Sequence, residues 1–136
     1  MSVRRWLFAW SVSLAASACG GGEDEVGEST SATCPDSSTL TYETDIAPIL
    51  AMYCVRCHAT SVSKSARHGA PSDHNFDSEL GVLEEATHVD QVAGSDGTIT
   101  NTEMPPKGYP APSVQERMKL SEWLACNAPP NTTHTH

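Results

Sequence analysis

The chain has 136 residues and carries 8 Lys and Arg against 17 Asp and Glu, a formal net charge of −9. So acidic a protein repels the phosphate backbone, which argues against nucleic acid as a partner. The length allows one small domain with a limited hydrophobic core.

The N-terminal residues predict export. Basic residues at 4 and 5 precede an apolar stretch over 6–16, and small residues lead to Cys19, which together indicate a signal peptide over residues 1–18. The stretch is too short to remain as a transmembrane helix. A cysteine at the cleavage junction is typical of bacterial lipoprotein signals, in which it becomes the lipidated first residue. Because Ala16 stands where such signals usually carry Leu, Val or Ile, ordinary cleavage stays open as the alternative.

Composition divides the rest of the chain into three parts. Residues 19–33 are mostly Gly, Ser, Thr and acidic residues, which cannot bury a core and predict a flexible tether. Residues 129–136 form a polar tail. The folded domain is therefore expected over residues 34–128.

A predicted helix leads directly into the most informative motif. It runs from about Asp45 or Ile46 to Tyr53, with Thr44 or Asp45 as N-cap. The sequence CVRCH follows from Cys54 to His58, and it is the attachment signature of c-type haem. Two thiols in a tight turn can form thioether bonds to the haem vinyl groups while the adjacent imidazole coordinates the iron.

The motif predicts one covalent haem c held by Cys54, Cys57 and His58. A thioredoxin-like redox pair is less consistent with the helix that precedes the motif, since that site follows a strand. A zinc site would need a second pair of ligands at close spacing, and the remaining cysteines are distant singletons.

The middle of the domain, from Ala59 to Gly108, is rich in Gly, Ser, Thr and Asp, with one short helix expected at Ser78 to Glu85. No alternating strand pattern is present, so the domain is predicted to be mostly α with long loops. The last helix is better marked, because Ser113 and Glu116 form a capping-box pattern ahead of apolar residues at helical spacing. We expect its apolar face to pack on the first helix.

The iron needs a sixth ligand, and Met104 is the leading candidate. It lies downstream of His58 in the sequence Glu-Met-Pro-Pro, and a thioether in a proline-stiffened loop binds ferrous iron and raises the reduction potential. Met118 falls in the last helix, where a methionine is usually core. A second histidine would give a lower potential, and an open or water-bound position is the third possibility. The histidine candidates are His68, His74 and His88.

Counting cysteines assigns the remaining thiols. Lipidation would use Cys19 and haem would use the two motif cysteines, which leaves Cys34 and Cys126 as a disulfide pair. Such a bridge closes a loop of about 90 residues and stabilises by about 4 kcal/mol in the chain-entropy model. Two free thiols are the alternative, although unpaired thiols oxidise outside the cytoplasm.

Together these features resemble class I monohaem c-type cytochromes of the exported bacterial lipoprotein kind, over about Tyr42 to Ala128. The resemblance rests on the helix into CVRCH, on Gly69-Ala70-Pro71, on Met104-Pro105-Pro106-Lys107-Gly108 and on the closing helix from Glu116 to Leu124. It implies a small cytochrome c-like helical domain whose long loops wrap around a covalent haem.

The family resemblance also implies a role for Pro71. In the family a prolyl carbonyl after the haem motif accepts the Nδ1–H of the proximal histidine, which here would pair Pro71 with His58. The alternative is that Pro71 is a turn residue only.

The expected function is electron transfer by an iron that cycles between Fe(II) and Fe(III), in a periplasmic or cell-surface carrier tethered to the membrane. Filled axial positions argue against an enzyme and against a small-molecule substrate. The partners would be a redox donor and acceptor. From Cys19 the chain carries 6 basic and 17 acidic residues, a net charge of −11, which suits docking to a basic patch or simply solubility. The alternatives are a haem enzyme subunit, either peroxidase-like or an electron-entry module of a dehydrogenase, and a haem-based sensor.

Overall fold

The computed structural model describes residues 26–129, so the predicted signal peptide, Cys19, the start of the tether and all but the first residue of the tail lie outside the described residues. Over this range the protein is a small, mostly helical domain, and its only β pairing is a single bridge between Ser95 and Thr100. None of its helices is long and apolar enough to cross a membrane.

The first helical segment begins earlier than the sequence predicted. A π-helical turn, Tyr42–Ile46, continues directly into α1, Ala47–Tyr53. The N-cap is Thr41, whose hydroxyl accepts the backbone N–H of Thr44, so the expectation of Thr44 or Asp45 as the cap was wrong. The reason is that the π turn adds five residues, about one turn, ahead of α1 and extends the apolar face back to Tyr42.

Three short elements occupy the middle of the domain: a 3₁₀ turn at Lys64–Arg67, α2 at Glu79–Glu84 and α3 at Ala86–Ala93. The predicted helix around Ser78 is confirmed, and the Ser78 hydroxyl caps α2 by accepting the N–H of Gly81 at 3.2 Å. The sequence did not predict α3. It starts without a side-chain cap and contains β-branched residues of modest helix propensity. Its helical conformation therefore depends on tertiary packing.

The last helix, α4 at Val114–Asn127, is confirmed with its capping box. The Ser113 hydroxyl accepts the N–H of Glu116 at 3.2 Å, and the Glu116 carboxylate accepts the N–H of Ser113 at 2.7 Å. The expected packing on the first helical segment is also confirmed, with the rings of Tyr42 and Trp123 5.8 Å apart. Met118 is 40% exposed, so the interpretation of this residue as core was wrong.

The hydrophobic core joins α1, α3 and α4, with contributions from α2 and the loop before it. Cys54 and Met104, from two distant parts of the chain, are partly buried against this cluster. Its members are Ile46, Leu50, Phe76, Val82, Ala86, Val89, Val92, Ala93, Leu120, Trp123 and Leu124.

The segment before the predicted domain is docked on it. Thr30 is only 8% exposed, and its backbone N–H and hydroxyl both donate to the Asp90 carboxylate at 2.7 Å. The amide of Asn101 donates to the carbonyl of Glu28 at 2.7 Å. This differs from the expected flexible tether over residues 19–33. The physical reason is that the buried Asp90 carboxylate needs hydrogen-bond donors, and the docked segment supplies two of them.

A disulfide joins Cys34 to Cys126 across 92 residues, linking the start of the domain to the end of α4. We predict that the double variant Cys34→Ala/Cys126→Ala lowers the free energy of unfolding by about 4 kcal/mol, because the unfolded chain regains the entropy of the open loop. Urea unfolding of both proteins measures this difference.

Reductant provides the control for that experiment. It should destabilise the parent protein and leave the double variant unchanged. Equal unfolding midpoints for the parent and the double variant would contradict the prediction.

Candidate haem-attachment site

The CVRCH motif forms one tight turn that continues α1. The N–H of Cys54 donates to the carbonyl of Leu50 at 2.8 Å, which closes the helix. The N–H groups of Cys57 and His58 then both donate to the carbonyl of Cys54, at 3.1 and 3.0 Å. Both thiols are free and partly buried. The turn therefore delivers two thiols and an imidazole from a single rigid connection to α1.

The imidazole of His58 is buried, 9% exposed, with Nδ1 3.2 Å from the carbonyl oxygen of His74. Because a carbonyl only accepts, Nδ1 carries the proton and Nε2 keeps its lone pair. Within residues 26–129, no hydrogen bond engages Nε2. The ring also stacks on Phe76, with centroids 4.7 Å apart. The imidazole is therefore fixed in the tautomer and orientation that a metal ligand needs, so it fits the proximal position of a haem.

The hydrogen-bond acceptor for His58 is not the one that the family resemblance implied. The carbonyl of Pro71 accepts from the guanidinium of Arg67, and the carbonyl of His74 faces the imidazole instead. After Pro71 the chain makes a further turn, in which the N–H of His74 donates to the Pro71 carbonyl at 3.3 Å. This extra turn brings a later carbonyl to Nδ1, so the role assigned to Pro71 was wrong.

Arg67 is the residue at this site that the sequence did not indicate. Its guanidinium is buried, with the residue 5% exposed, although a charged residue in a polar loop is ordinarily solvated. No local pattern could have identified it, because its partners are backbone groups spread along the loop. The guanidinium donates to the carbonyls of Ala59, Val62, Ala70, Pro71 and His74 and to the side-chain oxygen of Asn75.

Two of the histidines proposed as sixth ligands lie near Glu85: His74 is buried with this carboxylate, and His88 is half-buried. Nε2 of His74 is 3.5 Å from the Glu85 carboxylate, and the rings of His74 and His88 are 5.0 Å apart. The backbone carbonyl of His74 lies at Nδ1 of His58, while the imidazole of His74 is turned to the Glu85 carboxylate. The third candidate, His68, is exposed beside the ring of Tyr109, 6.2 Å away.

Met104 is held by its backbone on both sides. Its N–H donates to the carbonyl of Val92 at 2.9 Å, and its carbonyl accepts from the guanidinium of Arg117 at 3.0 Å. Arg117 is buried in α4 and interacts electrostatically with Cys54. A single cation therefore lies near both the Met104 loop and the first cysteine of the motif.

Burial sets the protonation state of the two best-placed groups. It raises the pKa of the Cys54 thiol to about 11, with the charge of Arg117 acting in the opposite direction. It lowers the pKa of His58 to about 4, against the hydrogen bond to His74. At neutral pH the site thus presents a thiol and a neutral imidazole, which is the form of histidine that coordinates metals.

No family model, curated protein or solved structure matches this chain. Among residues 26–129, no group of three or more His, Cys, Asp and Glu side chains could hold a metal ion by itself. The residues that could hold a bound group are therefore those of the CVRCH motif, with His58 oriented by its hydrogen bond to His74.

The lowered pKa of His58 predicts acid sensitivity of the haem-free chain. As pH falls from 6.5 towards about 4, the unfolded chain binds a proton at His58 that the folded chain does not bind, so stability decreases across this window. Urea unfolding between pH 7 and pH 5 measures the effect above the range in which carboxylates titrate.

The matched variants for this test are His58→Gln and His68→Gln. The first should show a flatter dependence of stability on pH, and the second, at an exposed position, should follow the parent. An unchanged slope in His58→Gln would show that another group causes the acid sensitivity.

Proposed function

We propose that this protein is an electron carrier that holds one covalent haem c through Cys54, Cys57 and His58. The observation that carries the proposal is the environment of His58, directly after the attachment cysteines: Nδ1 is bound to a backbone carbonyl and Nε2 is left for a metal. When bound, the haem supplies a one-electron Fe(III)/Fe(II) couple, taking an electron from a reducing partner protein and passing it to an oxidising one.

The two thiols attach the group without redox chemistry. Cys54 and Cys57 would each add across one vinyl group, so that sulphur bonds to one carbon and the thiol hydrogen goes to the other. Nothing is oxidised or reduced in this step. It requires both thiols to be free, and they are free in the structure.

Met104 is the residue that we assign as the second protein ligand, which would bind the iron together with His58. The imidazole of His74 faces the Glu85 carboxylate and contacts the ring of His88, which favours a methionine over these two histidines. The Met104 loop packs on the same hydrophobic cluster as Cys54. Filled axial positions favour an electron carrier over a haem enzyme subunit or a sensor, both of which need an open or exchangeable position.

The compartment that we propose is outside the cytoplasm. Thioether attachment and the Cys34–Cys126 bridge both suit an exported protein. Lipidation at Cys19 would tether the carrier to a membrane, in the periplasm or at the cell surface. The docking of Thr30 on Asp90 would shorten that tether, because the chain is already held to the domain at this point.

The proposal predicts that the purified protein is coloured by covalently bound haem. Expressed in a bacterium that matures c-type cytochromes, the full chain should retain haem through acid–acetone extraction and show a sharp α-band on reduction. Cys54→Ser and Cys57→Ser should each lose one thioether bond, and the double variant should retain no covalent haem.

The other cysteine pair is the matched control, since Cys34→Ser/Cys126→Ser removes two disulfide-bonded cysteines outside the motif and should retain haem. If the parent protein is colourless after the extraction, it holds no covalent haem and the haem assignment is refuted.

A second prediction tests the axial ligand. Met104→Ala should keep covalent haem but lose the weak Met-to-iron absorption of the oxidised protein, have a lower reduction potential and bind carbon monoxide readily. Met118→Ala is the control, because Met118 lies on the exposed face of α4. If the parent binds carbon monoxide as fast as Met104→Ala does, the iron has an open position and an enzyme or sensor becomes the better assignment.

A further inference from the structure

We propose that Arg67 is a positioning residue for His58: by donating to the same His74 carbonyl that accepts the imidazole N–H, it orients the ring and raises the reduction potential of the haem. This inference rests on the proposed function, since the potential is that of the haem bound by His58. It concerns a residue that the attachment motif does not include.

Arg67 and His58 share one hydrogen-bond acceptor, the carbonyl of His74. The oxygen of His74 accepts from Nη2 of Arg67 at 2.7 Å and from Nδ1 of His58 at 3.2 Å. A hydrogen bond from a cation is shorter and stronger than one from a neutral group. The guanidinium therefore takes much of the accepting capacity of this oxygen, and the bond to the imidazole is the weaker of the two.

A weaker bond at Nδ1 changes how the imidazole binds iron. Strong acceptors at this position give the ring imidazolate character and make it a better electron donor, which stabilises the oxidised metal. A carbonyl already polarised by a guanidinium has the opposite effect. The ring of His58 stays closer to neutral imidazole, and the ferrous state is favoured.

The charge of Arg67 acts in the same direction. A buried positive charge beside the proximal ligand disfavours the extra positive charge of ferric iron, and low local polarity strengthens this effect. The nearby Asp77 carboxylate interacts with Arg67 but is exposed and bound to Thr60. It offsets the guanidinium only in part, because solvent screens it.

The remaining hydrogen bonds of Arg67 hold the carbonyl in place. They reach Ala59, directly after the motif, and Asn75, directly after His74. The guanidinium thus connects the two ends of the loop that returns to the imidazole. Without it, the position of the His74 carbonyl relative to His58 would depend on the backbone alone.

The test compares three variants of the haem-loaded full chain. Arg67→Gln removes the charge and the fork of donors, Arg67→Lys keeps the charge but lacks the fork, and Lys64→Gln removes an exposed charge from the same loop. Spectroscopic redox titration measures the potential. Electron paramagnetic resonance of the oxidised protein reports the orientation of the axial imidazole.

We expect a downward shift of the potential in Arg67→Gln, a smaller downward shift in Arg67→Lys, and no shift in Lys64→Gln. The resonance spectrum should change in both Arg67 variants and stay as in the parent for Lys64→Gln. An unchanged potential in Arg67→Gln overturns the inference, as does an equal shift in Lys64→Gln, which would indicate a general charge effect.

Failure to fold is also informative. If Arg67→Gln cannot be purified with haem, Arg67→Lys decides: a lowered potential with an altered spectrum supports the inference, and a match to the parent overturns it. Absence of covalent haem from the parent protein is a different result, because it refutes the proposed function itself.

Discussion

A buried guanidinium is the constraint on which the candidate site depends. Arg67 is desolvated, and a buried cation without hydrogen-bond partners is strongly destabilising. The loop after the attachment motif satisfies it by directing five backbone carbonyls inward, from Ala59 to His74. These carbonyls in turn lose water and need a donor. The loop and the cation thus stabilise each other, and the carbonyl that meets His58 is placed as a consequence.

Two further buried polar groups hold the rest of the domain in the same way. Asp90 in α3 accepts from Thr30 and from Ser121 of α4, the latter at 2.6 Å. Arg117 in α4 donates to the carbonyls of Ala93 and Met104, at 2.9 and 3.0 Å. A domain of this size has limited apolar surface to bury. Satisfied polar networks therefore specify where the N-terminal segment and the Met104 loop lie.

This construction suits an electron carrier. The turn that carries the thiols is rigidly joined to α1, and the imidazole of His58 is held by a hydrogen bond and by Phe76. Ligands that keep their positions in both oxidation states need little rearrangement when an electron arrives or leaves. In the proposed haem protein, the immediate surroundings of His58, rather than the motif itself, would determine the reduction potential.

The sequence by itself determined the features that depend on neighbouring residues. The CVRCH turn, the Ser113 capping box and the short helix after Ser78 follow from local spacing, and the mostly helical class follows from the absence of alternating strands. Tertiary structure alone decided that His74 rather than Pro71 meets the imidazole, that Arg67 is buried and that Thr30 docks on Asp90. In each case a side chain meets a partner that is distant in the sequence and comes close only in the folded chain. No local periodicity encodes such a contact.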